Sequence, residues 1–194
     1  MGNPSPENKR IAKYALKAFG DGTPKVLRIC HDYSDIYIDM CCCINSPCDG
    51  ITSYSTIGLS DYAMLEEDGS EYPVRVEIAA ACASIELEFP NLIGTAAINV
   101  IRNHRIISPG ACMENYVDEY YKGTHLPHLY FTAPFLWDEL TTLDCQSKKA
   151  TWLLAMPISQ SELKYLVTYG SDKLEDVFEQ KQIDFFDIRR PSTL

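Results

Sequence analysis

The chain has 194 residues, 46% of them apolar and 23% charged, with a formal net charge of −10. That length is enough to bury a full core without disulfide or metal staples, and the composition is that of an ordinary globular protein. An excess of 27 acidic over 17 basic residues argues against nucleic acid or an anionic membrane as partner, because both require a basic footprint.

The N-terminal stretch lacks the apolar core of a signal peptide, and no run approaches the ~18 apolar residues of a membrane span, so a cytosolic protein is expected. Ile11, Ala12, Ala15, Leu16 and Phe19 recur at helical spacing and predict a first helix over 6–19, with Pro6 in its first turn and Gly20 as its stop. Residues 25–31 and 35–44 read as two strands of a hairpin joined at Asp32-Tyr33-Ser34. After a Pro- and Gly-containing loop, residues 52–57 form a β-prone run that ends in the corner Gly58-Leu59-Ser60-Asp61. There Gly58 permits positive φ, and Ser60 and Asp61 can bond back to local amides.

Asp68-Gly69 signals a turn within an acidic loop. Val74–Ala83 alternates and then becomes small and apolar, as a central strand beneath a helix would. That helix is predicted from Pro90 to His104, its small residues at 94–97 allowing close approach to the sheet. Residues 115–128 read as an aromatic loop. Leu129–Ala133 is a strand stopped by Pro134, and Phe135-Leu136-Trp137 an exposed or half-buried corner. Ala150–Ile158 is the most apolar strand and therefore central. Ser159 and Glu162 form a capping box for a helix reaching Tyr169; Ser171 caps a further helix over 172–181, and residues 183–190 read as a last short strand. Strands and helices do not alternate regularly. The expected fold is therefore α+β, a central mixed and largely antiparallel sheet flanked by helices, in a single domain over 1–194.

The eight cysteines (30, 41, 42, 43, 48, 82, 112 and 145) contain no Cys-x-x-Cys pair. In apolar strands such thiols act as small hydrophobes, so free and mostly buried cysteines are expected. His125-Leu126-Pro127-His128 is the nearest approach to a metal pair, but Pro127 keeps it off a helix and no third ligand has suitable spacing. Phosphate-loop, dinucleotide, nucleophile-elbow and zinc-protease motifs are all missing. No catalytic residue, cofactor or metal is expected. Residues 61–91 hold eight acidic side chains against one basic, Arg75, which reads either as a solvated face or as a surface steering a basic partner. Trp137 reads either as a packed side chain or as a binding hot spot, with Glu139 beside it.

Taken in order, Tyr54–Asp61, Val74–Ile78, Thr132-Ala133-Pro134-Phe135-Leu136-Trp137, the 151–159 strand with Glu162 and Leu163, and Asp187-Ile188-Arg189-Arg190 resemble the suppressor-of-fused domain family. The resemblance runs over about 8–192 and is nearest to the stand-alone bacterial branch. It implies an α+β fold and a non-enzymatic, protein-binding role. Animal members hold a transcription-factor peptide between two lobes, and this chain has length for one. Bacterial single-lobe members act as immunity proteins, or antitoxins, against LXG-type polymorphic toxins, which implies a basic nuclease domain as partner. The alternative is a regulatory protein- or peptide-binding module of the same fold; a hydrolase or metalloprotein is a weaker third. The partner-binding candidates are Tyr54, Ser60 and Asp61 in the corner motif, Glu66, Glu67, Asp68 and Glu71 in the acidic loop, and Trp137 with Glu139. Arg189 and Arg190 are read as structural, pairing with acidic loop residues.

Overall fold

The strand over 149–158 lies inside the sheet, with hydrogen-bonded neighbours on both sides. The computed structural model describes residues 4–30 and 35–194. In chain order the elements are α1 (Pro6–Phe19), β1 (Thr23–Cys30), β2 (Tyr37–Ile44), β3 (Ile51–Ile57), a 3-10 turn (Leu59–Asp61), β4 (Arg75–Ala83), α2 (Phe89–Asn103), β5 (Cys112–Met113), α3 (Tyr116–Tyr120), β6 (His128–Thr132), β7 (Leu143–Asp144), β8 (Lys149–Ile158), α4 (Gln160–Tyr169) and α5 (Ser171–Lys181). The strands form one mixed sheet in the order β1-β2-β3-β4-β8-β6-β5, with β7 also paired to β8. Among the described residues only β4 and β8 run parallel, in the register Ile78 to Leu153; every other strand pairing there is antiparallel. The α+β expectation therefore holds.

The period of two along each strand divides the core between the faces of the sheet. Trp152 and Leu154 of β8 pack with Ile11, Ala15 and Phe19 of α1, while Met156 and Ile158 carry the same face on to Leu163 of α4 and Leu174 of α5. Leu153 and Ala155 point the other way, into the cluster built on Phe89, Leu92, Ile93, Ala96 and Ala97 of α2. The three consecutive cysteines follow the same rule, Cys42 facing α2 and Cys41 and Cys43 facing α1. The cysteines are free: Cys41, Cys42, Cys43 and Cys82 are buried, whereas Cys30 and Cys48 are exposed. Close packing of α2 on the sheet edge depends on Gly94, where a Cβ would fall 2.6 Å from Ile29 Cγ2.

Local sequence logic survives in most elements. Ser5 caps α1 by accepting from the Asn8 amide at 3.0 Å. At α4, the Glu162 amide donates to Ser159 Oγ at 3.1 Å and the Ser159 amide to Glu162 Oε2 at 2.8 Å, completing the capping box. Three expectations change. Residues 116–120 form the short helix α3 rather than loop. Ser171 opens α5 instead of capping it, the cap position being Gly170. Residues 183–190 are not a strand: the Asp184 carboxylate accepts the Phe186 amide at 2.9 Å and the Asp187 carboxylate the Arg189 amide at 2.7 Å, closing two local turns. Aspartates that capture amides two residues ahead compete with a strand ladder, and here they win. The predicted hairpin turn at 32–34 lies outside the described residues.

Candidate interaction surface

The corner after β3 is folded around a carboxylate from the neighbouring strand. Glu77 is fully buried. It accepts from Thr56 Oγ1 at 2.6 Å, the amides of Gly58, Leu59 and Ser60 at 3.0, 3.3 and 3.1 Å, and Ser60 Oγ at 2.7 Å. Three successive amides converge on one anion because Gly58 sits at φ +94° and turns the chain into the 3-10 turn. Burial pushes the Glu77 carboxyl above its ordinary range, and the hydroxyl and amide donors oppose that shift. Thr56 Oγ1 also accepts from the Ile78 amide at 2.8 Å, so its own proton is committed to Glu77.

This geometry revises the reading of the corner. Ser60 is fully buried and Tyr54 only 5% exposed, its ring 5.8 Å from that of Phe89. Burial pushes the Tyr54 phenol well up from its ordinary value. Both side chains are largely part of the frame, Ser60 wholly and Tyr54 with only a sliver facing a surface groove, contrary to their expected place among exposed partner-contacting groups. The physical reason differs for the two: the alternation of β3 turns Tyr54 onto the face covered by α2, and the 3-10 turn folds Ser60 inward onto Glu77. Asp61 is at the surface, with a side chain 41% exposed. It pairs with Lys148 and accepts from Asn8 Nδ2 at 2.8 Å, tying the corner to α1 and to the turn before β8.

Beyond the corner, the acidic loop is a small hairpin with a fixed base. Met64 is buried; the Leu65 amide donates to the His104 carbonyl at 2.9 Å, and the Tyr72 amide to the Met64 carbonyl at 2.9 Å. From that base Glu66, Glu67, Asp68 and Glu71 project into solvent. Asp68 accepts from the Ser70 amide at 2.9 Å, and the Ser70 hydrogen bonds hold its carboxyl below its ordinary value. Glu71 pairs with Arg75 at 2.6 Å; Glu66 and Glu67 form no ion pair among the described residues. Three carboxylates side by side at 66–68, held on an anchored turn, concentrate negative potential at one point of the surface.

Trp137 is also interior, 4% exposed with its ring 4.9 Å from Phe19, which corrects its reading as a contact residue. Its Nε1 has no hydrogen-bond partner among the described residues. The exposed aromatic of that corner is Phe135, at 49%. Glu139 remains at the surface, paired with Lys17 at 3.0 Å between two well-exposed side chains. Such a pair contributes little to stability and is free to exchange partners.

Both arginines of the C-terminal motif pair with carboxylates, Arg189 with Glu86 of a loop and Arg190 with Glu162 on α4 rather than with a loop residue. Arg190, 5% exposed, donates to both oxygens of the fully buried Glu162 at 2.7 and 3.1 Å. Arg189 makes the same two-pronged contact with Glu86 at 3.0 and 3.1 Å. Among the described residues no group of three His, Cys, Asp or Glu side chains converges as metal ligands, and no helix is long and apolar enough to cross a membrane. Sequence reasoning missed Glu77, counting it with the acidic patch. The signal was there: a carboxylate between Val76 and Ile78 in a central strand must find buried donors.

Comparison with known proteins agrees with this architecture. The model of the suppressor of fused protein (SUFU) family matches residues 34–191. The immunity protein YqcF of Bacillus subtilis (strain 168) is 43% identical over 190 residues, 97% of each chain. The crystal structure of a SUFU homologue from Neisseria gonorrhoeae FA 1090 superposes with a TM-score of 0.73 at 16% identity, over 96% of both chains. The Sufu–Fu complex gives 0.70 at 15% identity, over 98% of this chain and 93% of the other. For Drosophila Suppressor of Fused the TM-score is 0.67 at 15% identity, and this chain spans about half, 52%, of that protein. The structural likenesses establish the fold and the sequence matches the family: the chain belongs to the suppressor-of-fused family.

Proposed function

We propose that this protein is an immunity protein that neutralises a cognate toxin by one-to-one binding, without turnover, in the cytosol. The observation that carries the reading is the 43% identity, along nearly the whole of both chains, to a protein named for immunity. The partner proposed is a basic nuclease domain of an LXG-type toxin. The net charge of −10 and the anchored acidic hairpin support that choice. A surface of one sign accelerates encounter with the opposite sign and penalises wrong partners. In this reading Glu66, Glu67, Asp68 and Glu71 steer the toxin, with Asp61 and Glu139 at the margins, and inhibition follows from covering the toxin's active site.

The test is co-expression with the toxin encoded beside this gene. The reading requires that the chain rescue growth, form a 1:1 complex in solution, and bind less tightly as salt rises. Growth arrest in its presence, with no complex formed by the purified pair, would sink it. Capture of an unrelated partner under the same conditions would favour the regulatory alternative.

A further inference from the structure

An apolar groove lies open on the α5 side of the sheet, between residues of β6, β8, α5 and the segment after α5. It encloses about 400 Å³ and is lined by Phe135, Met156, Phe178 and Phe185, with Glu175 and Glu179 among its walls. Phe135 and Phe185 meet edge to face with centroids 4.9 Å apart. Phe178 and Met156 are buried and close the floor. Such a volume lies within the ~300–1,000 Å³ of pockets that take a small group or an anchoring side chain.

The groove is not simply apolar. Glu175 is held in place from the sheet: Tyr130 donates its hydroxyl to Oε1 at 2.7 Å and Thr132 donates to the same oxygen at 2.6 Å. Oε2 is left without a hydrogen bond among the described residues. Both donors are buried side chains of β6, so the carboxylate is oriented before anything arrives. No lining residue is cationic. The Arg190 guanidinium lies 5.4 Å from the Phe178 ring but is committed to Glu162.

Resting on the immunity reading above, we infer that this groove receives an arginine side chain of the protein partner as its anchor. The chemistry selects arginine. The flat guanidinium stacks on one face of the Phe135–Phe185 pair, its alkyl stem covers the apolar wall, and its N–H fork reaches Glu175 Oε2. Glu179, exposed at the rim, adds a second negative charge. The acidic hairpin then governs encounter, and this groove governs how long the complex lasts, as a central aromatic pocket with one fixed charge does in other interfaces.

Two measurements test the assignment. In the first, N-acetyl-arginine methylamide is titrated into protein labelled at methionine methyls. It is expected to shift the Met156 resonance saturably in the millimolar range. The citrulline analogue, which keeps the shape without the charge, and the lysine analogue should bind at least ~5-fold more weakly. Glu175→Gln, which keeps an oxygen for Tyr130 and Thr132, should weaken the arginine probe to the level of citrulline. No Met156 shift, or equal response to all three probes, overturns the inference whatever the toxin does.

In the second, Glu175→Gln and Phe185→Ala are each measured against the toxin domain. A loss of at least ~10-fold in Kd is expected, mostly as faster dissociation, with an unchanged thermal midpoint for Glu175→Gln. Wild-type affinity in both variants would overturn the groove while leaving the immunity reading intact. A wild-type protein that binds no toxin would overturn the immunity reading, and the small-probe titration then decides the groove alone.

Discussion

Ser60 binds Glu77 twice, its hydroxyl at 2.7 Å and its amide at 3.1 Å, both to Oε1. The most recognisable motif in the sequence, Gly58-Leu59-Ser60-Asp61, is thus the lining of a buried anion site whose anion belongs to the chain itself. Glu77→Gln puts an NH2 group where Oε2 accepts from Thr56 and the Leu59 amide, leaving two donors facing a donor. Each buried donor left unmatched costs roughly 1–3 kcal/mol, so for two of them a loss of about 2–6 kcal/mol is expected. Urea unfolding checks it; an unchanged midpoint would mean that the corner is held by its turn geometry alone.

The pair Arg190–Glu162 carries a pH signature. Burial raises the Glu162 pKa and is the largest single influence. The Arg190 hydrogen bond and charge, with the Ser159 and Thr193 amides, together outweigh it and hold the carboxyl below its ordinary value of 4.5. A depressed folded value means that the unfolded chain takes up the proton first as pH falls. The stabilisation is therefore present above pH 4.5 and disappears as pH drops through the folded pKa. The difference in urea midpoint between wild type and Glu162→Gln should shrink steadily on acidification below that point. Arg190→Ala, which strands a buried carboxylate, should cost about 3–5 kcal/mol at neutral pH.

Glu66, Glu67 and Asp68 offer the opposite case, exposed charges that no core depends on. Reversing all three to lysine should leave thermal stability within about 0.5 kcal/mol of wild type. The association rate with a basic toxin domain should fall at least ~10-fold at low ionic strength, and its salt dependence should flatten. Stopped-flow binding at two salt concentrations reads both effects, and an unchanged rate would move the steering surface elsewhere.

The thiols should divide by burial. Burial pushes Cys42 up to about 12 and raises Cys41 and Cys82 further. The thiolate is the reacting species, so these three should be silent toward a thiol reagent in the native protein. Cys30 and Cys48, both exposed, should react first. Mass mapping after a short pulse distinguishes the groups; early labelling within 41–43 would reveal opening of β2.

Much of this protein was written in local sequence. The 3.6-residue spacing of Ile11, Ala15 and Phe19 fixed α1, and the Ser159–Glu162 box fixed the start of α4, because both depend on neighbours a turn away. The apolar run over 150–158 foretold a central strand, since only a strand covered on both faces tolerates it. Tertiary structure decided the rest. Tyr54, Ser60 and Trp137 looked like polar or aromatic display, yet each lies inside. Which face of a strand is covered depends on helices packed from elsewhere in the chain. Glu77 looked like one acid among eight, and only the pairing of β3 with β4 brought the Gly58–Ser60 amides onto it. The groove at Glu175 joins residues from 132 to 185, a union that no sequence window contains. The sequence by itself determined most of the elements and the family, through short-range periodicity and motif. The fold alone decided which charges were interior scaffolding and which faced solvent, because burial is set by contacts between residues far apart in the chain.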